Sequence, residues 1–193
     1  MAGVDEAGRG CLAGPVVAAA VILAPGLVVP GVRDSKLLTP ALRLRLAEVI
    51  REVATAWAVG IVEAGEIDTA NILRATLRAM TEAVQQLPCQ PDLVLVDGAT
   101  PPHLPMPVRA IVQGDRRVPV ISAASILAKV TRDRIMEEWA VQFPEYGFAQ
   151  HKGYGTVAHR AAIAQHGPSP IHRRTFAGVR EYVGQTELQA PLW

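Results

Sequence analysis

The sequence predicts an α/β domain built on a mixed sheet. Two observations carry this. The chain opens with two valine-rich apolar runs of strand length, "AGVDEA" and "GPVVAAAVIL", with only a glycine turn between them. Beyond residue 39, helical and strand patterns alternate.

Each element has its own signal. "TPALRLRLAEVIREVA" reads as a helix with Thr39 as N-cap and Pro40 in the first helical position. Leu42, Leu46, Val49 and Val53 fall on one face of it. "TAWAVGIV" is a third strand, and "NILRATLRAMTEAVQQL" a helix that stops at Pro88. "DLVLVDG" and "VRAIV" are short strands, the first ending on Asp97. "PVISAASILAKVTRDRIMEEWAVQF" is a long helix with small residues crowded into its first half, and "TVAHRAAIAQHG" a short helix in the tail. The composition shifts between Gly147 and Gly155, which divides the chain into a main domain, residues 1–150, and a small basic helical lobe, residues 151–193.

Bulk properties remove several function classes. Half of the 193 residues are hydrophobic, enough for a sizeable core. Cys11 and Cys89 are the only cysteines, too few for a disulfide framework or a zinc site, and fit a reducing cytoplasm. The uncharged run from Cys11 to Val32 is broken by Gly14, Pro15, Pro25, Gly26, Pro30 and Gly31, so it is no spanning helix. Asp5 and Glu6 ahead of it do not suit a signal peptide. No membrane partner is expected. The net charge of +1 indicates no partner, but its distribution does. From His151 to Arg180 the chain carries Lys152, Arg160, Arg173, Arg174 and Arg180 with no acid, and His151, His159, His166 and His172 lie there too. That is either a surface for a polyanion or a solvated basic face.

Asp5 and Glu6 sit in an apolar strand, Asp97 ends another, and Asp115 lies between "VRAIVQG" and "RRVPVISAAS". Carboxylates at neighbouring strand ends repel and raise each other's pKa. Divalent cations relieve this, and two such ions about 4 Å apart suit in-line displacement at phosphorus. Alone, Asp97 before Gly98 also reads as a turn former, and Asp115 as a loop acid paired with Arg116. The Asp5–Glu6 pair is harder to dismiss, although adjacent strand residues point to opposite faces. "GRGCLA" loosely fits a dinucleotide-binding turn, but that reading requires a helix next, and a strand follows.

Together, "GVDEAGRG", "DSKLL", "LVDG", "QGDRRVPVISAASILAKVTRDR", "FAQHKGYGT" and "HRRTF" resemble bacterial ribonuclease HII, the type 2 ribonuclease H, over nearly the whole chain. The resemblance implies a ribonuclease H-like fold: a mixed five-stranded sheet flanked by helices, with a small C-terminal helical lobe. It implies an endonuclease that cuts RNA paired with DNA and nicks duplex DNA 5′ to a single ribonucleotide, leaving 5′-phosphate and 3′-hydroxyl ends. Asp5, Glu6, Asp97 and Asp115 become the catalytic ligands of two Mg2+ or Mn2+ ions. The Gly8–Arg9–Gly10 turn would meet the minor groove and a 2′-hydroxyl, the group that separates RNA from DNA. Tyr154 matches a junction-sensing tyrosine that packs on the sugar after the ribonucleotide; without the motif it reads as a half-buried anchor of the tail.

Other matched positions carry softer expectations. Lys36 and Lys129 are expected as phosphate or supporting contacts, Ser122 and Ser125 as facing the site or the nucleic-acid backbone, and Arg173 and Arg174 as phosphate contacts. Asp133, four residues after Lys129, is expected to pair with it. Cys11 departs from the proline frequent in the family after the GRG turn. A monomer is expected; the tail "TELQAPLW" carries no recognisable motif, and the sequence does not decide docking on a replication clamp. Two alternatives remain: a hybrid-binding module without chemistry, disfavoured by the four acids, and a DNA-strand transferase on the same fold, disfavoured by the GRG turn and the tyrosine motif.

Overall fold

The computed structural model describes residues 1–32 and 38–184. Five strands form one sheet in the order β3-β2-β1-β4-β5: β1 (Ala2–Ala7), β2 (Val16–Ile22), β3 (Ala56–Val62), β4 (Val94–Asp97) and β5 (Val108–Ile111). The pairs β1–β2 and β2–β3 are antiparallel, whereas β1–β4 and β4–β5 are parallel. The mixed sheet expected from the chain order is present. β2 is buried along its whole length, which explains why it reads as an unbroken apolar run.

Helices cover both faces. On one, Ala75, Ala79, Met80, Ala83 and Val84 of α3 (Ile72–Gln85) close over Val16, Ala18 and Ala20. On the other, α1 (Pro40–Val53) and α5 (Pro119–Gln142) pack on Ala19, Val21 and Leu95. The small residues of α5 have a direct use here. Ser122, Ala123, Ala124, Ser125 and Ala128 are buried, and they let the helix axis lie close to the sheet.

The apolar face of α1 differs from the one its sequence predicts. Thr39 does cap it, its Oγ1 accepting the Leu42 N–H at 3.3 Å, with Pro40 next. The buried set is Arg43, Leu46, Ala47 and Ile50, whereas Leu42 and Val53 are exposed. The helix is turned to bring Arg43 inward, where its guanidinium donates to the Leu38 carbonyl at 2.9 Å and lies 3.8 Å from Asp133 on α5. Three short helices are not legible in the pattern, α2 (Ala64–Ala70), α4 (Gly114–Arg117) and α6 (Phe148–His151). All are shorter than a hydrophobic period can reveal.

The chain beyond α5 builds a third cluster. Tyr146, Phe148, Ile163, Ile171 and Val179 pack with Leu12, Ala13 and Met136. The helices here are α6 (Phe148–His151) and α7 (Val157–His166). Two buried arginines join this cluster to the glycine turn. Arg132 of α5 donates to the carbonyls of Ala13, Pro15 and Lys152 at 2.8–2.9 Å. Arg173 donates to the carbonyls of Gly8, Arg9 and Gly14 at 2.7–3.0 Å. Gly8 has φ +96°, and a Cβ there would stand 2.0 Å from Arg132 Nε, so both its conformation and its neighbour require glycine.

Three imidazoles stack within the lobe. His151 lies against His159, ring centroids 4.3 Å apart, and His159 Nε2 is 3.0 Å from His172 Nε2. Burial pulls His159 down to about 4 and His172 down to about 3. Both are therefore neutral in the fold, while the unfolded chain takes up protons near 6.5. The unfolded state binds more protons between those values, so this contribution is complete above pH 6.5 and is lost as pH falls toward 4. Each imidazole contributes a slope of up to about 1.4 kcal/mol per pH unit. A His172→Gln variant, which keeps a donor toward His159 but cannot titrate, should show a flatter loss of urea stability from about pH 7 to about pH 5 than wild type. Parallel profiles would mean that His172 is not held neutral.

Candidate active site

The acids meet at the ends of the central strands. In the parallel pair, Val4 stands opposite Val96, so Asp5 and Asp97 each come one residue later on neighbouring strands. The alternation rule holds for Asp5 and Glu6. Asp5 shares the side of Ala7, facing α5, and bonds Ser125. Glu6 faces a cleft of about 210 Å³ lined by Asp97, Arg9, Thr76 and Met80. Asp97, at a strand end, lies close enough to repel both. The site thus spans both faces of the sheet at the ends of β1 and β4.

Asp115 arrives by a separate route. It lies in the first turn of α4, and the Asp97 Oδ1 accepts the N–H of Gly114 at 2.6 Å and of Asp115 at 3.3 Å. Ser122 Oγ donates to the Asp115 carbonyl at 2.6 Å, fixing α4 to α5. Asp97 and Asp115 are therefore joined by a hydrogen bond although they lie 18 positions apart in the chain.

The electrostatics are unfavourable for a purely structural cluster. Burial raises the Asp5 carboxyl well above its usual range, and Glu6 and Asp97 raise it further. Burial also raises Glu6, against the pull of Arg9, whose guanidinium lies 3.2 Å from its carboxylate. Among the described residues, no three acid, histidine or cysteine side chains converge on one point. Each acid leans on protein donors: Asp5 on Ser125 and the Glu6 N–H, Glu6 on Arg9, Asp97 on the α4 amides. The set nevertheless suits a hard divalent cation. It is all carboxylate oxygen, and its mutual repulsion is the kind that a cation removes.

The other expected residues are placed as follows. A Cβ on Gly10 would meet nothing within 4 Å, so the fold leaves open the space in front of it. Arg9 is half exposed at the rim. Tyr154 is 44% exposed, with Lys129 Nζ 5.5 Å from its ring centre and its hydroxyl bonded to the Cys11 thiol. Lys129 also pairs with Asp133 at 2.6 Å, as expected. Arg174 is exposed, its backbone N–H held by Asp68 of α2 at 2.8 Å. Lys36 and the segment "TELQAPLW" lie outside the described residues. Arg173 requires a correction. It is fully buried, and its donors serve the backbone of the glycine turn, so it has no surface to offer a phosphate. Burial pulls its pKa down to about 10, which leaves it charged at neutral pH. The supporting roles of Arg132, His159 and His172 were not read from the sequence. The only trace of them was the concentration of histidines after residue 150.

A mixed β3-β2-β1-β4-β5 sheet flanked by helices, with carboxylates at the ends of β1 and β4, is the architecture of the ribonuclease H-like class. The ribonuclease HII family model matches residues 2–179. Ribonuclease HII of Geobacter sulfurreducens is 58% identical over 189 residues, covering 98% of this chain and 87% of its own. That of Syntrophotalea carbinolica is 55% identical over 183 residues, covering 95% and 88%. Among solved structures, ribonuclease H2 from Pyrococcus horikoshii superposes with a TM-score of 0.81 at 29% identity, over 96% of this chain and 98% of its own. The chain belongs to the ribonuclease HII family. It is an endonuclease that hydrolyses RNA paired with DNA and acts at ribonucleotides within duplex DNA, by divalent-metal catalysis. No helix among the described residues is long and apolar enough to cross a membrane.

Because Asp5 has a raised pKa in the fold, its share of stability is present below its unfolded pKa and is lost as pH rises through the folded one. In chelator, wild type should therefore lose thermal stability more steeply than Asp5→Asn as pH rises above the unfolded carboxyl's value of 3.8. Millimolar Mg2+ or Mn2+ should raise the wild-type Tm, by preferential binding to the folded state, and the Asn variant's Tm far less. Equal metal-induced shifts in both proteins would remove Asp5 from the ion site.

Proposed function

We propose that Asp5, Glu6, Asp97 and Asp115 hold two Mg2+ or Mn2+ ions, and that the cut falls on the 5′ side of the ribonucleotide. The observation that supports this reading is the hydrogen-bonded Asp97–α4 junction beside the end of β1, which holds the Asp115 backbone against Asp97 and next to the Asp5–Glu6 strand. Bound ions would place positive charge on the entering and leaving oxygens of an in-line displacement. A water oxygen bonds to phosphorus, the bond from phosphorus to the 3′ oxygen breaks, and that oxygen departs as a 3′-hydroxyl, leaving a 5′-phosphate.

The chain's own groups orient the substrate. The turn at Gly8, Arg9 and Gly10 presents backbone and a half-exposed guanidinium beside Glu6, with open space at Gly10 for a sugar edge. Contact there with a 2′-hydroxyl reads ribose. The Tyr154 ring, braced by Lys129, packs on the next sugar, where a deoxyribose fits and a 2′-hydroxyl would crowd it. Ser125 supports Asp5, and Ser122 supports Asp115. Arg174 is the phosphate contact of the "HRRTF" segment, within a lobe that grips duplex beyond the cut. The protein acts as a monomer in the cytoplasm.

Asp97→Asn removes a ligand charge while its Oδ1 can still accept the α4 amides. It should fold normally and cut a duplex with one ribonucleotide several orders of magnitude more slowly. A rate within about tenfold of wild type at saturating metal, a change of about 1.4 kcal/mol, would overturn the assignment.

Arg174→Ala should reduce the slope of log K against log salt by about 0.9, the share of one phosphate contact. Arg173→Ala should leave buried carbonyls of Gly8, Arg9 and Gly14 unpaired and lower urea stability by about 3 kcal/mol or more. An unchanged slope for Arg174→Ala, or an undiminished stability for Arg173→Ala, would reverse these roles.

A further inference from the structure

We propose that His159 and His172 are positioning residues for Tyr154: a chain of oriented hydrogen bonds through the two neutral imidazoles fixes the backbone that presents the ring to the sugar. This rests on the reading of Tyr154 as the junction contact and names the groups that make the contact selective.

The bonds define the tautomers. His172 Nδ1 accepts the Ser169 N–H at 2.9 Å, and the Ser169 hydroxyl approaches the same nitrogen at 2.7 Å. A nitrogen that accepts a backbone N–H carries no proton, so the His172 proton is on Nε2. That proton points at His159 Nε2, 3.0 Å away, which must accept. The His159 proton is therefore on Nδ1, where it donates to the Tyr154 carbonyl at 2.9 Å. Direction runs one way from Ser169 to Tyr154, and each link dictates the next.

The loop is held on its other side as well. His151 Nε2 donates to the Tyr146 carbonyl at 2.7 Å, leaving its Nδ1 to accept the Gly153 N–H at 3.2 Å. The Tyr154 N–H donates to the His151 carbonyl at 2.9 Å. Leu12 N–H donates to the Gly153 carbonyl at 2.8 Å, which ties the same loop to the segment after the glycine turn. The polar backbone groups on either side of the ring thus have fixed partners, while the ring itself stays open to solvent. The groups facing the pair are the His151 ring, the Arg160 guanidinium near His159, the Ser169 hydroxyl, and the rings of Tyr146 and Phe148. None is an acid that could stabilise a protonated imidazole. A second proton on the pair would set two N–H groups against each other across 3.0 Å and break the link that orients His159 toward the Tyr154 carbonyl.

The test compares kcat/KM on a duplex with one ribonucleotide to kcat/KM on a continuous RNA–DNA hybrid, at saturating Mn2+, with thermal melts for folding. His159→Phe keeps the ring packed against His151 and Phe148 but has no donor. His159→Asn restores a donor at the Nδ1 position. Tyr154→Ala sets the scale. The single-ribonucleotide preference should fall roughly tenfold or more in Tyr154→Ala and in His159→Phe. It should stay within about threefold of wild type in His159→Asn, and His159→Phe should add nothing in the Tyr154→Ala background. A preference lost in Tyr154→Ala but kept in His159→Phe would overturn the positioning role alone. A preference kept in Tyr154→Ala would overturn the junction reading and, with it, this inference. Nitrogen-15 spectra of the wild-type imidazoles provide a check that needs no variant: His172 protonated on Nε2 and His159 on Nδ1. The opposite tautomers, or ordinary titration of either ring, would refute the relay.

Discussion

Two guanidinium groups without access to solvent hold this molecule's working parts in one frame. Arg132 reaches from α5, and Arg173 from the C-terminal lobe, into the loop between Gly8 and Pro15, where both are solvated by backbone carbonyls. A loop that turns between β1 and β2 cannot satisfy its carbonyls within the sheet, and a buried guanidinium cannot remain unpaired. Each need answers the other. The consequence is functional, because the same loop begins next to Glu6 and carries Arg9. The lobe, the long helix and the edge of the acid cluster share one set of hydrogen bonds, so none can shift without breaking buried donors and acceptors.

The acid cluster is built on a different balance. Ser125, the Arg9 guanidinium and the amides of Gly114 and Asp115 distribute the charge of carboxylates that burial and mutual repulsion disfavour. This is the arrangement of a site prepared for positive charge. The donors orient the oxygens without neutralising them, and the small residues of α5 keep the surrounding backbone close.

Tyr154 connects these two systems. Its ring rests near Lys129, its hydroxyl on Cys11 of the glycine loop, and its carbonyl on His159. The side chain is exposed but its backbone is fully committed, a combination that suits a surface contact needing fixed placement. Histidine suits the buried links because a neutral imidazole has one donor and one acceptor in a rigid ring, so it can transmit hydrogen-bond direction without charge.

Much of this was legible in the residues. Periods of two and 3.6 located all five strands and the four longer helices, and acids set against apolar runs stood out because burial penalises an unpaired carboxylate. Lys129 and Asp133 could be paired from a helical repeat alone. The sequence by itself determined these local features, since each follows from the chemistry of a few neighbouring positions. Tertiary structure alone decided the rest. It turned α1 toward Arg43, formed α4 so that its amides reach Asp97, withdrew Arg173 from the phosphate surface its charge had implied, and linked His172 through His159 to the Tyr154 carbonyl. In each case the partner is distant in the chain, up to 165 residues for Arg173 and Gly8. A charged or titratable group takes its role from what solvates it, and that is fixed only when the sheet, the long helix and the lobe close around it.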